Sequence, residues 1–419
     1  MLRGYRILDL TRGGALMAGK VLADLGAEVI VIEPPGGSPT RAVGPFIGDR
    51  PEPERSLYWS YLNLGKKGIT LGIAARDGQQ LLQQLVQKSQ AVIESFPPGF
   101  LASLGLGYAD LQAHKPDLIM ASITPFGQEG PWRDYEACDL TIQSLSGFQF
   151  LCGEPDRPPL RVGFPQVALL AAVEAAFYVS AALFHRGATG KGQYLDISMQ
   201  AVAVGQMIAT AATGYPTLQG EMLTRHGQIH KAGAWVTRFI WECRDGYVSF
   251  AISPGPIGAR SQTQLVEWMA EEQPDLVPTW LRSFDWAARY TVDNLISDPE
   301  LSRQIDQVSE IIGHFLKTKT KAELFRGAFE RRILLTASNS ARDLSEDPQL
   351  SSRDFFLGLE HGDLGREIIY PGQIARVDGR ALRPTGRAPR IGQHNEEVYG
   401  QRLGLSPAEL VRLREIGVI

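Results

Sequence analysis

Residues 6–33 read RILDLTRGGALMAGKVLADLGAEVIVIE, two short apolar runs on either side of a helical pattern. Glu28–Glu33 is rich in β-branched residues and lacks polar alternation, which is how a strand buried on both faces reads. Arg6–Asp9 has the same character over a shorter span. Between them, Gly14–Leu25 carries apolar residues at helical spacing and stops near Gly26, a residue suited to end a helix. Strand, helix and strand in this order predict a βαβ unit with parallel strands. The alternation continues. A helix is expected over Gly78–Ser89, a strand over Ala91–Glu94, a short helix around Asp110–Ala113 and a strand over Asp117–Ser122. After a helix from Val167 and a turn at Gly187–Gly192, a strand is expected over Gln193–Ser198 and a helix over Met199–Ala212.

The character then changes. Residues 215–332 hold five of the seven tryptophans, and Arg244-Asp245-Gly246 separates two strand-like runs, Phe239–Cys243 and Tyr247–Ile252, as a hairpin turn would. Mixed-charge helices follow. Ser406-Pro407 with Glu409 marks the start of a last helix running to Glu415.

Composition bounds the function. There are 42 basic and 46 acidic side chains, a net charge of −4, so no polyanion-binding signature exists and nucleic acid is not an expected partner. Three cysteines cannot build a disulfide framework or a CxxC metal site and suit a reducing compartment. The N-terminus lacks a long apolar run and a small-residue cleavage site, so no signal peptide is expected. Val167–Phe184 is apolar enough to suggest a membrane span, but it carries Glu174 and much alanine and reads as a core helix. A cytoplasmic protein is expected.

Motif tests remove several chemistries. Gly13-Gly14 lies in the strand-to-helix context of a dinucleotide site, but the spacing is not GxGxxG. Gly187–Gly192 lacks the phosphate-loop spacing. There is no HExxH and no GxSxG, and the seven histidines are scattered, so neither a metal site nor a serine hydrolase is expected. What remains is polar residues at strand-to-helix junctions: Arg12, Arg41, Asn63 with Lys66 and Lys67, Ser95-Phe96 and Asp139. The carboxyl ends of strands line the crevice of an open α/β sheet. Cations and one carboxylate gathered there suit an anionic ligand and a carboxylate that does chemistry. Taken singly, Lys66-Lys67 reads rather as a solvated surface pair, and Asp139 rather as a helix cap.

These residues belong to longer motifs. ILDLTR (7–12) with LADLGAEVI (22–30), Asn63–Lys67, ESFPPG (94–99) with LGLGY (104–108), FGQEGP (126–131), TGKGQ (189–193) with Asp196 and Ser198, DPQL (347–350) and GQHNE (392–396) together resemble the class III CoA-transferase family. That family includes formyl-CoA and carnitine-type transferases and α-methylacyl-CoA racemases. The likeness covers the chain apart from a weak stretch over about 215–332. It implies an α/β fold: a Rossmann-like large domain with a parallel sheet, from residues 1–214 and 333–419, and a smaller α+β domain from 215–332. It also implies an interlocked homodimer and no permanently bound cofactor, with coenzyme A or acyl-CoA and a carboxylic acid as substrates.

Residue by residue, the resemblance puts the nucleophile on Asp139. CoA contacts fall on Arg12, Gly13, Gly14, Arg41, Asn63, Lys66, Lys67, Ser95, Phe96 and Thr124. A carboxylate that attacks a thioester yields a mixed anhydride, then an aspartyl-CoA thioester. The racemase members use a histidine before the aspartate and a second aspartate further on. Here these positions are Cys138 and Ala168, so the two acid–base groups needed for proton abstraction are missing. Pro34 and Ser95 also depart from the family's usual basic residue and asparagine. No glycine-rich loop appears near Arg225–Gly233, which speaks against formate and oxalate. Two other readings stay open at this level: another acyl-CoA activity in the same fold, and a repurposed member that only binds thioesters.

Overall fold

The computed structural model describes residues 1–206, 225–232, 235–362, 365–372 and 374–419. Six strands form a parallel sheet: β1 (Arg6–Leu10), β2 (Glu28–Glu33), β3 (Lys67–Thr70), β4 (Ala91–Glu94), β5 (Ile119–Thr124) and β6 (Tyr194–Ser198). Their order is β3-β2-β1-β4-β5-β6, the doubly wound order whose direction of growth reverses between β1 and β4. The first strands pair in register, Arg6 with Glu28 and Leu10 with Glu94.

β5 begins and ends two residues later than the sequence pattern suggested. β3 was not anticipated at all. It has only four residues, two of them a lysine and a glycine, too short a run for a strand pattern to stand out. Its place comes from elsewhere in the chain. His394 and Gly68 exchange two hydrogen bonds, Asn395 Oδ1 accepts from Thr70 N–H at 3.0 Å, and Tyr399 donates to Thr70 C=O at 2.8 Å. Residues 394–399 thereby cover the edge of the sheet, which would otherwise be open to pairing.

Each face of the sheet has its own core. On one, Leu8, Ile30, Ile69, Val92 and Met120 pack against Leu82 and Leu85, and against Tyr399, Leu410 and Leu413 from the far end of the chain. On the other, Ile7, Val29, Ile93, Ala121 and Ile123 pack under α1 (Leu16–Asp24) and a 23-residue helix Val167–Thr189. Ala171, Ala172, Ala175, Ala176 and Ala182 form that helix's buried face, and small side chains let it lie close to α1. The opposite face of the same helix leaves Val173, Phe177, Tyr178 and Phe184 exposed. By length and apolarity alone the helix matches a membrane span, but its buried alanines belong to the sheet's core.

The chain divides into two compact units. One comprises Met1–Gln149, Arg161–Leu223 and Gln349–Ile419; the other comprises Phe150–Leu160 and Thr224–Pro348. The expected change at 214–215 lies outside the described residues, as do 207–212 of the expected helix Met199–Ala212 and Gly233 of the loop noted above. The second unit runs to Pro348 rather than 332, because Leu335–Ser338 pairs with Gly246–Phe250. Gly246–Phe250 also pairs with Ile240–Cys243 across the Asp-Gly turn, giving a three-stranded antiparallel sheet. Helices Pro256–Glu272, Pro299–Lys317 and Lys321–Arg331 accompany it, and Trp241, Trp268 and Trp286 lie in this unit's core.

One ion pair is sealed within the large unit. Lys66 Nζ stands 2.8 Å from Asp9 Oδ2 with both side chains at 0% exposure. Burial pulls the Lys66 ammonium below its usual range, and the charge of Asp9 works against that pull. Removing one member leaves the other charged and buried without a partner. Lys66→Ala is expected to lose about 3–5 kcal/mol of unfolding free energy in urea titration. A loss within experimental error would mean that Asp9 finds another partner.

Candidate active site

The reversal point between β1 and β4 sets two turns side by side. After β1 come Thr11, Arg12 and Gly13; after β4 come Ser95 and Phe96. Arg12 N–H donates to Ser95 Oγ at 2.9 Å, and the Arg12 guanidinium lies 4.9 Å from the centre of the Phe96 ring. Phe96 in turn packs on Phe100, with ring centres 4.9 Å apart. Gly13 N–H donates to Thr40 Oγ1 at 2.9 Å, and a φ of +56° there favours glycine. A crevice opens at this point, lined by Arg12, Pro34, Leu71, Ala74, Phe96 and Phe100 among others. Ligands of doubly wound sheets sit at such a place. Arg12, Gly13, Ser95 and Phe96 are therefore brought together.

Four other expected contacts are not. Arg41 is buried; it makes a bidentate pair with Glu33 at 2.6 and 2.7 Å, donates to Glu54 and to Pro389 C=O, and lies 4.1 Å from the centre of the Trp59 ring. Asn63 is buried and donates to Trp59 C=O at 3.0 Å. Lys66 is sealed with Asp9. Lys67 is half-buried between Glu28 and Glu397, at 2.8 and 2.6 Å. These polar groups are engaged within the fold rather than held out toward a phosphate. Thr124 ends β5, and its Oγ1 accepts from Gly127 N–H at 3.1 Å, shaping the loop that follows. Gly14 lies against the Val167–Thr189 helix: a Cβ there would stand 2.8 Å from the Cβ of Ala168.

That contact leads to Asp139. We label the short helix Asp139–Leu145 α2 and the long one Val167–Thr189 α3. Asp139 opens α2 and reaches across to the head of α3. Its Oδ1 accepts from Gln166 N–H at 2.9 Å and Val167 N–H at 2.7 Å. These are donors that a helix start leaves without intrahelical partners. Its Oδ2 accepts from Gln143 Nε2 at 2.5 Å. The arrangement holds the carboxylate in one orientation, half-buried, against Val167, whose neighbour Ala168 faces Gly14.

Several groups here escaped the sequence reading. Gln143 carried a signal, since it lies four residues after Asp139 and so on the same helical face. Tyr58 carried none. Burial raises its phenol above the usual range, and the nearby charge of Asp139 adds to the rise. Glu94, read only as part of a motif, is a buried acid beneath the crevice. Its Oε2 accepts from Phe96 N–H at 2.6 Å, so it anchors the ring that Arg12 covers. Cys138 is an exposed thiol lowered by hydrogen bonds from Thr141.

A model of CoA-transferase family III matches residues 2–395. The chain belongs to that family. It is 30% identical to a succinyl-CoA:(R)-benzylsuccinate CoA-transferase subunit of Thauera aromatica over 99% of this chain and 97% of the relative. It is 35% identical to a succinate–glutarate CoA-transferase of Agrobacterium fabrum over 96% and 95%. Among solved structures, a CAIB/BAIF family protein from Brucella suis superposes with a TM-score of 0.78, at 24% identity, covering 96% of this chain and 98% of that one, a likeness of fold. A family III CoA-transferase is an enzyme acting on CoA thioesters.

The Glu94 carboxyl provides a pH test. Burial raises it from 4.5 to about 7, Asp196 adds to the rise, and hydrogen bonds from Ser122 and Phe96 N–H oppose it. The folded chain therefore holds this proton more tightly than the unfolded chain. Stability contributed by the protonated form is complete below about 4.5 and is lost as pH rises through about 7. Glu94→Gln is expected to flatten the fall in urea midpoint between those values. An unchanged slope would show that Glu94 does not titrate there.

Proposed function

We propose that this enzyme moves CoA from an acyl-CoA thioester to a carboxylic acid, with Asp139 as the nucleophile. The observation that carries the reading is the half-buried Asp139 carboxylate, held at both oxygens by donors of the fold. Asp139 attacks the thioester carbonyl, CoA leaves as thiolate, and an acyl–aspartyl anhydride forms. The thiolate then attacks the aspartyl carbonyl, releasing the donor acid and leaving an aspartyl-CoA thioester. An acceptor acid reverses the sequence. Two steps replace a direct exchange between poorly nucleophilic carboxylates. The racemase alternative lacks its acid–base pair, since Cys138 and Ala168 stand in those positions.

Within the crevice, Arg12 with Ser95 and Phe96 holds the nucleotide end of CoA, Gly13 and Gly14 bring main chain close to it, and Thr124 supports the loop after β5. Arg41, Asn63, Lys66 and Lys67 act as scaffold. The names of the relatives point to succinyl-CoA as donor and a dicarboxylic acid as acceptor. Purified protein screened against acyl-CoA donors and acids is expected to exchange CoA with succinyl-CoA. Hydroxylamine is expected to inactivate it only in the presence of donor. Asp139→Ala is expected to lose at least about 10³-fold in rate, and full activity in this variant would end the reading.

We further propose that the enzyme works as an interlocked homodimer in the cytoplasm. Phe177 and Phe184, at 63% and 82% exposure on one face of α3, form a stripe that a second copy covers. Phe177→Glu with Phe184→Glu is expected to shift the sedimentation coefficient from dimer to monomer. An unshifted dimer would place the interface elsewhere.

A further inference from the structure

The two oxygens of Asp139 are held differently, and the difference divides the labour of the reaction. Oδ1 sits on two main-chain N–H groups, Gln166 at 2.9 Å and Val167 at 2.7 Å. Among the described residues, Oδ2 meets one side-chain donor, Gln143 Nε2. Gln143 is buried, and its Oε1 accepts from Val162 N–H at 3.3 Å, which sets the amide so that its NH2 faces Asp139. We propose that the Gln166 and Val167 N–H groups form the oxyanion hole of the aspartyl carbonyl, and that Oδ2 is the oxygen that attacks the thioester. The proposal rests on the reading of Asp139 as nucleophile.

Attack through Oδ1 would draw it away from two donors fixed by the start of a 23-residue helix. Attack through Oδ2 disturbs one side-chain contact. When Oδ2 bonds to the acyl carbon, the C–S bond breaks and CoA leaves as thiolate. Oδ2 becomes the bridging oxygen of the anhydride, and Oδ1 stays as the carbonyl oxygen of Asp139. The thiolate then faces two carbonyl carbons. Attack at the acyl carbon regenerates the substrates. Attack at the Asp139 carbonyl carbon pushes the C=O electron pair onto Oδ1.

Oδ1 already lies within the 2.7–3.1 Å that an oxyanion hole requires of its donors. Collapse re-forms the C=Oδ1 bond and breaks the bond to Oδ2, which departs with the donor acid. The aspartyl-CoA thioester remains. The same donors stabilise the resting carboxylate, so they do little for the first attack, whose developing charge sits on the acyl oxygen. Their differential effect falls on the second attack and sends the thiolate forward rather than back.

Side-chain substitution leaves a main-chain donor intact, so the N–H itself must be replaced. The α-hydroxy analogue of valine incorporated at position 167 swaps the amide for an ester and keeps the isopropyl group. In single turnovers with succinyl-CoA and no acceptor, trapped with hydroxylamine, the aspartyl-CoA thioester is expected to form about 10²–10³-fold more slowly. CoA affinity and far-UV circular dichroism are expected to match the parent chain. The α-hydroxy analogue of glutamine at position 166 removes the other donor and is expected to give a loss of the same kind; it serves as the test should the first chain not fold. Wild-type rates of aspartyl-CoA formation in a folded ester variant, with Asp139→Ala inactive, overturn the oxyanion hole and leave the nucleophile in place. An active Asp139→Ala overturns both.

Discussion

The fully buried carboxylate of Asp9 organises the functional end of the sheet. Its Oδ1 accepts from the N–H and hydroxyl of Thr11, at 3.0 and 2.6 Å, and its Oδ2 takes the Lys66 ammonium. Lys66 also donates to Leu16 C=O at 2.8 Å. One ion pair thus ties together the end of β1, the turn after it, the first turn of α1 and the approach to β3. Gly19 is part of the same constraint, since a Cβ there would stand 2.0 Å from Asp9 Oδ2. The desolvation of two charges is offset in part by the hydrogen bonds from Thr11 to Asp9 and from Lys66 to Leu16. From this hub the order passes outward by contact: the turn sets Arg12 over Phe96 and Gly14 against Ala168, and the residue before it, Val167, holds Asp139.

This explains how the chain treats its cations. A pattern of basic residues near strand ends suggests a phosphate site, yet Arg41 and Lys66 are consumed by Glu33 and Asp9, and Lys67 by Glu28 and Glu397. Arg12 brings an exposed cation to the crevice, and Pro34, Leu71, Ala74, Phe96 and Phe100 give much of the rest of the wall an apolar character. Recognition there leans on ring stacking and main-chain groups more than on charge, in keeping with a chain whose net charge is only −4.

Legibility followed physical type. β2 and β4 were plain because strands buried on both faces read as continuous apolar runs. β3 was hidden because its place depends on hydrogen bonds to residues 394–399, more than 300 positions away. The family resemblance offered Asp139 as the candidate nucleophile, while Gln143 went unread although it lies one helical turn further on. The Gln166 and Val167 donors were not legible, because a main-chain N–H has no residue code, and only the fold shows which donors a helix start leaves free.

Sequence patterns alone carried an α/β architecture with a parallel sheet, and the family. These depend on apolar periodicity and on short motifs, which are local properties. Tertiary structure alone decided which charges are spent inside the fold and which face a ligand. It also decided that Glu94 is a buried acid and that the two oxygens of Asp139 are not equivalent. Each of these depends on burial and on partners distant in the chain, and a side chain's solvation is set only when those partners close around it.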